Sequence, residues 1–100
     1  MEKRRPHYDL AAVQAAVAKA GAAAFTKTAM DGGRAMGLTT SEMLSVIAAL
    51  SARDFHKSMT TYWDHRIWQD VYRPMTHVGA IAYIKMTMRD HAPVIQFKEA

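Results

Sequence analysis

Four polar side chains interrupt the alternation of apolar residues in the second half of the chain: Lys57, Gln69, Tyr83 and Lys98. Two amines, an amide and a phenol suit chemistry on an anion, because ammonium groups stabilise negative charge and a phenol can exchange a proton. If neighbouring strands gather them, they form a polar cluster of phosphate size. The alternative is a solvated sheet face with extended lysines, and the alternation alone favours that alternative.

The direction of each side chain depends on the strand that carries it. Alternation places Lys57 with Phe55 and Met59, on what reads as the more buried side of its strand. In the later strands, Tyr83 and Lys98 lie on the face opposite to the apolar residues. The four polar side chains share one surface only if the strands pair in a suitable register.

His56 is a further candidate, as a general base. It adjoins Lys57, and adjacent strand residues point to opposite faces, so both line one pocket only where a β-bulge intervenes. A surface or edge histidine is the ordinary alternative. The 5 histidines never show metal-ligand spacing and the cysteine count is 0, which predicts no metal site and excludes thiol chemistry.

Aromatic residues accompany these polar groups. Trp63, Trp68 and Tyr72 are able to stack on nucleic-acid bases, but aromatic residues in strands more often belong to the core. Both interpretations remain open from the sequence.

The first half of the chain is predicted to be helical. Leu10, Val13 and Val17 recur at helical spacing after Asp9, and Gly21 occupies the position of a C-cap. A weak second helix follows, strained by an interior pair of glycines. A third begins at a capping box, with the apolar stripe of its inner face behind it.

The bounds of these helices come from local signals. The second helix is expected from Thr26 or Thr28 to Met36, and the capping box of the third pairs Thr39 with Glu42. After the third helix the apolar period changes to that of strands, predicted at Phe55–Thr61, Arg66–Arg73, Ala80–Arg89 and Val94–Lys98. Helices followed by closely connected strands predict an α+β fold with a mainly antiparallel sheet. Between the third helix and this sheet we expect a core of Ile47, Leu50, Ile84, Ile95 and Phe97.

Composition sets the broad class. A chain of 100 residues, 50% hydrophobic and 22% charged, predicts one folded domain over residues 1–100. The net charge of +4 favours a polyanionic ligand. No stretch is long and apolar enough for a membrane span or a secretion signal, so we expect a soluble, cytoplasmic protein.

Three sequence blocks carry a resemblance to a known family: the opening Met1–Arg4 with Pro6-His7, the central Asp54–Tyr62 and Ile67–Pro74, and the ending Phe97–Glu99. With them, the chain resembles the MqsR toxins, the motility quorum-sensing regulators of bacterial toxin–antitoxin systems. The resemblance implies a RelE-like fold and a ribosome-independent mRNA interferase that cleaves at GC-containing sites without a cofactor. It also implies an MqsA-type antitoxin with a zinc-binding domain and a helix-turn-helix domain, so that zinc belongs to the partner and DNA is reached only through the complex.

The resemblance also implies roles for single residues. The family's active-site residues fall on Lys57, Gln69, Tyr83 and Lys98. Both lysines are expected to stabilise charge, one of them with a lowered pKa that suits proton transfer. Arg73 adds a phosphate contact, whereas Lys85 receives no role. His56 stands where the family has an aromatic residue, which leaves open an added base or a changed RNA preference.

Two other function classes compete with this one. A catalytically inactive RNA- or antitoxin-binding module would keep the fold, but the presence of all the carried-over residues counts against it. A DNA-binding regulator would need a helix-turn-helix with a basic recognition helix, which the first half of the chain does not show.

Overall fold

The computed structural model describes all 100 residues, arranged as a short strand, three α-helices and four further strands. The helices are α1 (Leu10–Ala20), α2 (Lys27–Ala35) and α3 (Thr40–Ala48). The strands are β1 (Glu2–Lys3), β2 (Phe55–Thr60), β3 (Trp68–Tyr72), β4 (Ala82–Arg89) and β5 (Ala92–Glu99). No helix has the length and apolar character needed to cross a membrane.

The strands form one antiparallel sheet in the order β1-β2-β3-β4-β5. Its tightest connection joins β4 to β5, where Asp90 and His91 both take positive φ angles of 51° and 66°. Such a turn matches the twist of the paired strands, and aspartate is among the residues that tolerate it best. The predicted α+β class with an antiparallel sheet is confirmed.

Local signals placed the helices well. Asp9 and Gly21 are the caps of α1, and Thr26 is the N-cap of α2, where its side chain accepts a hydrogen bond from Ala29 N–H. The α3 capping box forms in both directions, since the Thr39 hydroxyl and the Glu42 carboxylate each accept a hydrogen bond from the other residue's main-chain N–H. The unsatisfied donors of the first turn are therefore supplied by the sequence itself.

The glycine pair in α2 has a packing role that the sequence did not reveal. A Cβ on Gly32 would collide with the main-chain oxygen of Phe97 in β5, and a Cβ on Gly33 would collide with the Met43 side chain of α3. The two glycines therefore let α2 approach the edge strand and α3 closely, although each weakens the helix itself.

The core lies between the helices and one face of the sheet. The five residues expected there are all buried, which confirms their selection: Ile47, Leu50, Ile84, Ile95 and Phe97. Their expected position was wrong in one respect. The helix on β5 is α2, assisted by α1, whereas α3 packs on α1 and α2. We call this side of the sheet the helix-covered face.

A β-bulge decides which side of β2 is buried. Phe55 pairs with Tyr72, but two residues later Lys57 pairs with Val71, so one extra residue stands in β2. Phe55 thus packs on the helix-covered face, with its ring 5.5 Å from that of Tyr72. The expectation that Lys57 shares the more buried side with Phe55 is wrong, because strict alternation cannot cross a bulge. Fully buried Ser58 marks the covered side.

The remaining differences concern strand ends. The strands β3 and β4 begin two residues later than predicted, at Trp68 and Ala82, and β5 begins earlier, at Ala92. The strand β1 was not predicted at all, because two residues carry no readable alternation. Its partners are Met59 and Ser58 of β2.

Candidate active site

The side of the sheet away from the helices, which we call the open face, carries the predicted polar residues. One row across β2 to β5 consists of Lys57, Val71, Lys85 and Gln96. In the row on one side of it, Tyr83 lies beside Lys98. In the row on the other side, Gln69 lies beside Met59. Rows on one face of a strand are about 7 Å apart, so the four candidates occupy one continuous surface.

Lys57 is held by a carboxylate from the N-terminal strand. Its Nζ lies 2.9 Å from Oε1 of Glu2, and its side chain is only 27% exposed. The hydrogen bond and the charge of Glu2 raise the pKa of Lys57, while its ammonium group lowers the pKa of Glu2. The expected lowering of a lysine pKa is therefore wrong for Lys57, which stays cationic at neutral pH and suits charge stabilisation.

Tyr83 and Lys98 line a cavity of about 190 Å³ at the β5 edge of the open face. The Lys98 ammonium group lies 5.6 Å from the centre of the Tyr83 ring, within cation–π range. Lys85 and Gln96 complete its sheet side, and the first turn of α2 closes it from the edge. The cavity thus joins two cations, a phenol and an amide on neighbouring strands.

Arg73 extends the site along β3. The Ala82 N–H donates a hydrogen bond to Pro74 O over 3.0 Å, so the ladder between β3 and β4 continues past Tyr72. This register sets exposed Arg73 next to Tyr83, in the row that ends at Lys98. A guanidinium at this position can contact a phosphate of a bound strand.

His56 occupies the bulge of β2 and is exposed. In a regular strand, His56 and Lys57 would point to opposite faces. At a β-bulge this alternation is interrupted, so the two side chains are able to line one pocket. No hydrogen bond or ion pair ties its ring to another residue.

Three residues of the open face were missed or set aside. Alternation placed Lys85 on the same face as Tyr83, and Gln96 on the same face as Lys98, but neither residue was given a role in the site. Glu2 could not be found this way, because it reaches Lys57 only through the pairing of β1 with β2.

The aromatic residues divide between core and surface. Tyr72 is fully buried, and burial together with nearby carboxylates raises its pKa to about 12. Trp68 stacks on the His7 ring at 5.4 Å and lies under the Lys3 ammonium group at 4.2 Å. Trp63 is 91% exposed in the loop before β3, so it does not belong to the core.

Elsewhere on the surface, the polar side chains predicted for the site are absent from the other large cavity. A larger cavity of about 550 Å³ lies between α3 and the loop after β3, and contains none of the predicted site residues. No cluster of three or more histidine, aspartate or glutamate side chains is placed to hold a metal ion. His77 contacts a carboxylate, since its Nε2 lies 2.6 Å from Oε2 of Glu42.

Comparisons with known proteins agree on one family. Residues 5–99 match the family described as "Motility quorum-sensing regulator, toxin of MqsA". The chain is also 46% identical over 99 residues to the mRNA interferase toxin MqsR of Escherichia coli (strain K12). That alignment covers 99% of each of the two chains.

Proposed function

Because the chain belongs to the MqsR toxin family, we propose that it is an mRNA interferase, an endoribonuclease toxin whose 100 residues act as one domain. The observation that carries this proposal is the arrangement of the open face. Two lysines, a tyrosine and a glutamine from four adjacent strands share that surface, and Arg73 extends it. A chain of net charge +4 also attracts a polyanion.

The proposed reaction uses the nucleophile that RNA itself carries. The 2′-oxygen attacks the adjacent phosphorus, the bond to the 5′-oxygen breaks, and the products carry a 2′,3′-cyclic phosphate and a 5′-hydroxyl. The protein has to accept the 2′-hydroxyl proton, stabilise charge on the phosphorane and protonate the leaving oxygen. Each of these tasks is a proton transfer or a charge contact, which side chains provide.

The side chains of the open face fit these tasks. Lys57 remains protonated and provides fixed positive charge for the phosphorane. Lys98, on the far strand, is proposed as a second charge contact. We propose that Tyr83, which lies beside Lys98, donates a proton to the leaving oxygen. Gln69 holds a base or a phosphate through its amide, and Arg73 binds a neighbouring phosphate. The preferred sites are proposed to contain GC.

The partner follows from the family, which is described as the toxin of MqsA, so an MqsA antitoxin is the expected protein partner. We propose that this antitoxin contributes a zinc-binding domain that neutralises the toxin and a helix-turn-helix domain that binds DNA. The toxin and its mRNA substrate would then meet in the cytoplasm.

The proposal is tested by incubating the purified chain, free of antitoxin, with a GC-containing RNA in EDTA and analysing the ends. We expect 2′,3′-cyclic phosphate and 5′-hydroxyl ends, and no cleavage where the attacking nucleotide is 2′-deoxy. Lys57→Ala should lose the activity, whereas Lys19→Ala, which removes the same charge from the exposed surface of α1, should keep it. If the RNA stays intact but shifts in a gel, the chain binds RNA without cleaving it and is the inactive binding module.

A further inference from the structure

The reaction proposed above leaves one task unassigned, which is removal of the 2′-hydroxyl proton. Lys57 is protonated and cannot accept it. Tyr83 is assigned to the leaving oxygen, and a single protonated phenol cannot serve both ends at once. A base close to Lys57 is therefore required.

Most carboxylates of the chain are occupied elsewhere. Asp70 is fully buried on the helix-covered face and accepts three main-chain N–H hydrogen bonds. Four more carboxylates have partners away from the open face: Asp31 contacts Lys27, Asp64 contacts Arg66, Glu42 contacts His77 and Asp54 contacts Ser51. The carboxylate that contacts a predicted site residue is that of Glu2.

We infer that Glu2 is the general base of the RNA cleavage reaction and works as a pair with Lys57; the inference rests on the proposed function. The Glu2 carboxylate accepts the 2′-hydroxyl proton while the 2′-oxygen bonds to phosphorus. Lys57 stabilises the charge that gathers on the phosphorane. The phosphorus–5′-oxygen bond breaks, and the leaving oxygen takes its proton from Tyr83. Exchange with water then returns both groups to their starting states.

The position of Glu2 is more rigid than its place near the terminus implies, since chain ends usually fray. On one side, Met1 O accepts a hydrogen bond from Thr60 N–H over 3.0 Å, and the terminal amine donates to the Thr60 hydroxyl. On the other side, the Asp70 carboxylate holds the main chain at His7 and Tyr8, with distances of 2.9–3.0 Å. The strand β1 is thus anchored at both ends, as a catalytic side chain requires.

The charges around Glu2 also suit a base that is ionised at neutral pH. Lys57 of β2 pairs with it directly, and Arg4 and the terminal amine add positive charge from its own segment. Across the pairing, β2 presents Met59, which does not titrate. The side chain of Glu2 is 62% exposed, so a ribose can reach it.

The test compares Glu2→Gln with the parent on the same RNA. The glutamine oxygen still accepts the Lys57 hydrogen bond, so this variant keeps the lysine in position and removes only the basicity. We expect a loss of about 10²–10⁴ in the cleavage rate. The residual rate should rise about tenfold per pH unit near neutrality, because hydroxide replaces the missing base, whereas the parent rate should be flat there.

Chemical rescue gives a second readout. Formate added to Glu2→Ala should restore part of the activity, and formate added to Lys57→Ala should not. The matched control is Asp31→Asn, which removes another exposed carboxylate paired with a lysine, 3.3 Å from Lys27, and should behave as the parent.

Three results would overturn the inference while the parent still cleaves RNA. The first is a Glu2→Gln variant that cleaves RNA at the parent rate. The second is a Glu2→Gln variant whose rate is reduced but stays independent of pH near neutrality, as in the parent. The third is a His56→Ala variant whose rate rises with pH while that of Glu2→Gln does not. A parent that does not cleave RNA contradicts the proposed function itself, so the two failures are distinguishable.

Discussion

The ammonium group of Lys98 lies 5.6 Å from the centre of the Tyr83 ring, on the strand directly beside it. The last strand is held in register as far as its end, since Ala100 N–H donates a hydrogen bond to Ile81 O over 2.8 Å. Buried Phe97 anchors the same strand from the other face. Lys98, which only two residues follow in the sequence, is therefore aimed at a phenol and does not fray.

Replacing Lys98 by alanine should lower the rate of RNA cleavage by about 10²–10³, because one charge-stabilising donor is lost from the site. The melting temperature should change little, since the side chain is exposed. Initial rates and thermal melting curves measure both quantities. Lys85→Ala is not a neutral control, because Lys85 lines the same cavity; Lys19→Ala takes that place. Parent-like cleavage by Lys98→Ala would show that the site does not extend to β5.

The close approach of α2 to β5 makes Gly32 sensitive to a single methyl group. Gly32→Ala should destabilise the protein by about 1–3 kcal/mol, because the new Cβ meets the rigid main chain of Phe97. Gly33→Ala is the matched comparison and should cost less, since it meets the flexible Met43 side chain. Urea unfolding gives both values. A more stable Gly32→Ala would mean that helix propensity outweighs the contact and that α2 lies farther from the strand.

Asp70 connects the centre of the sheet to the N-terminal segment. Asp70→Asn should reduce the free energy of unfolding by about 1.5–3 kcal/mol, because an amide replaces the charge that accepts the His7 and Tyr8 N–H groups. It should also speed tryptic cleavage after Lys3 and Arg4, which mass spectrometry follows. Asp90→Asn, in the exposed turn, should leave the cleavage rate as it is. If trypsin cleaves the Asp70→Asn variant no faster than the Asp90→Asn variant, Asp70 does not anchor the N-terminal segment.

Tyr72 gives the protein a stability change at alkaline pH. Burial, with added repulsion from nearby carboxylates, raises the pKa of its phenol to about 12, above the usual value of about 10. Below pH of about 10 the phenol is neutral in both the folded and unfolded states. Between about 10 and about 12 only the unfolded state loses the proton, so folding stability falls as the pH rises.

The measurement for Tyr72 is a series of melting curves across that alkaline range, beside an absorbance titration of the tyrosines. Tyr72→Phe should show a smaller fall in stability, and the titration should lose its highest-pH step. A parent in which every tyrosine ionises near the ordinary value would contradict the burial of this phenol.

The local pattern of the sequence determined the elements and much of the site. Capping residues such as Thr39 act on main-chain groups a few residues away, so a helix start is readable from its neighbours alone. The alternation along β4 and β5 likewise predicted that Tyr83 and Lys98 lie opposite to buried Ile84 and Phe97. The long blocks that resemble MqsR toxins identified the family, which the comparisons confirm.

Only the tertiary structure decided the rest, because it depends on contacts between residues far apart in the chain. The bulge at His56 sets which side of β2 is covered, and an inserted residue leaves no mark in a pattern of period two. The glycines of α2 are explained only by the strand that passes against them. Glu2 reaches Lys57 across 55 positions of sequence, through a two-residue strand that Asp70 anchors. Such a pair is set by strand register, and register is a property of the folded sheet.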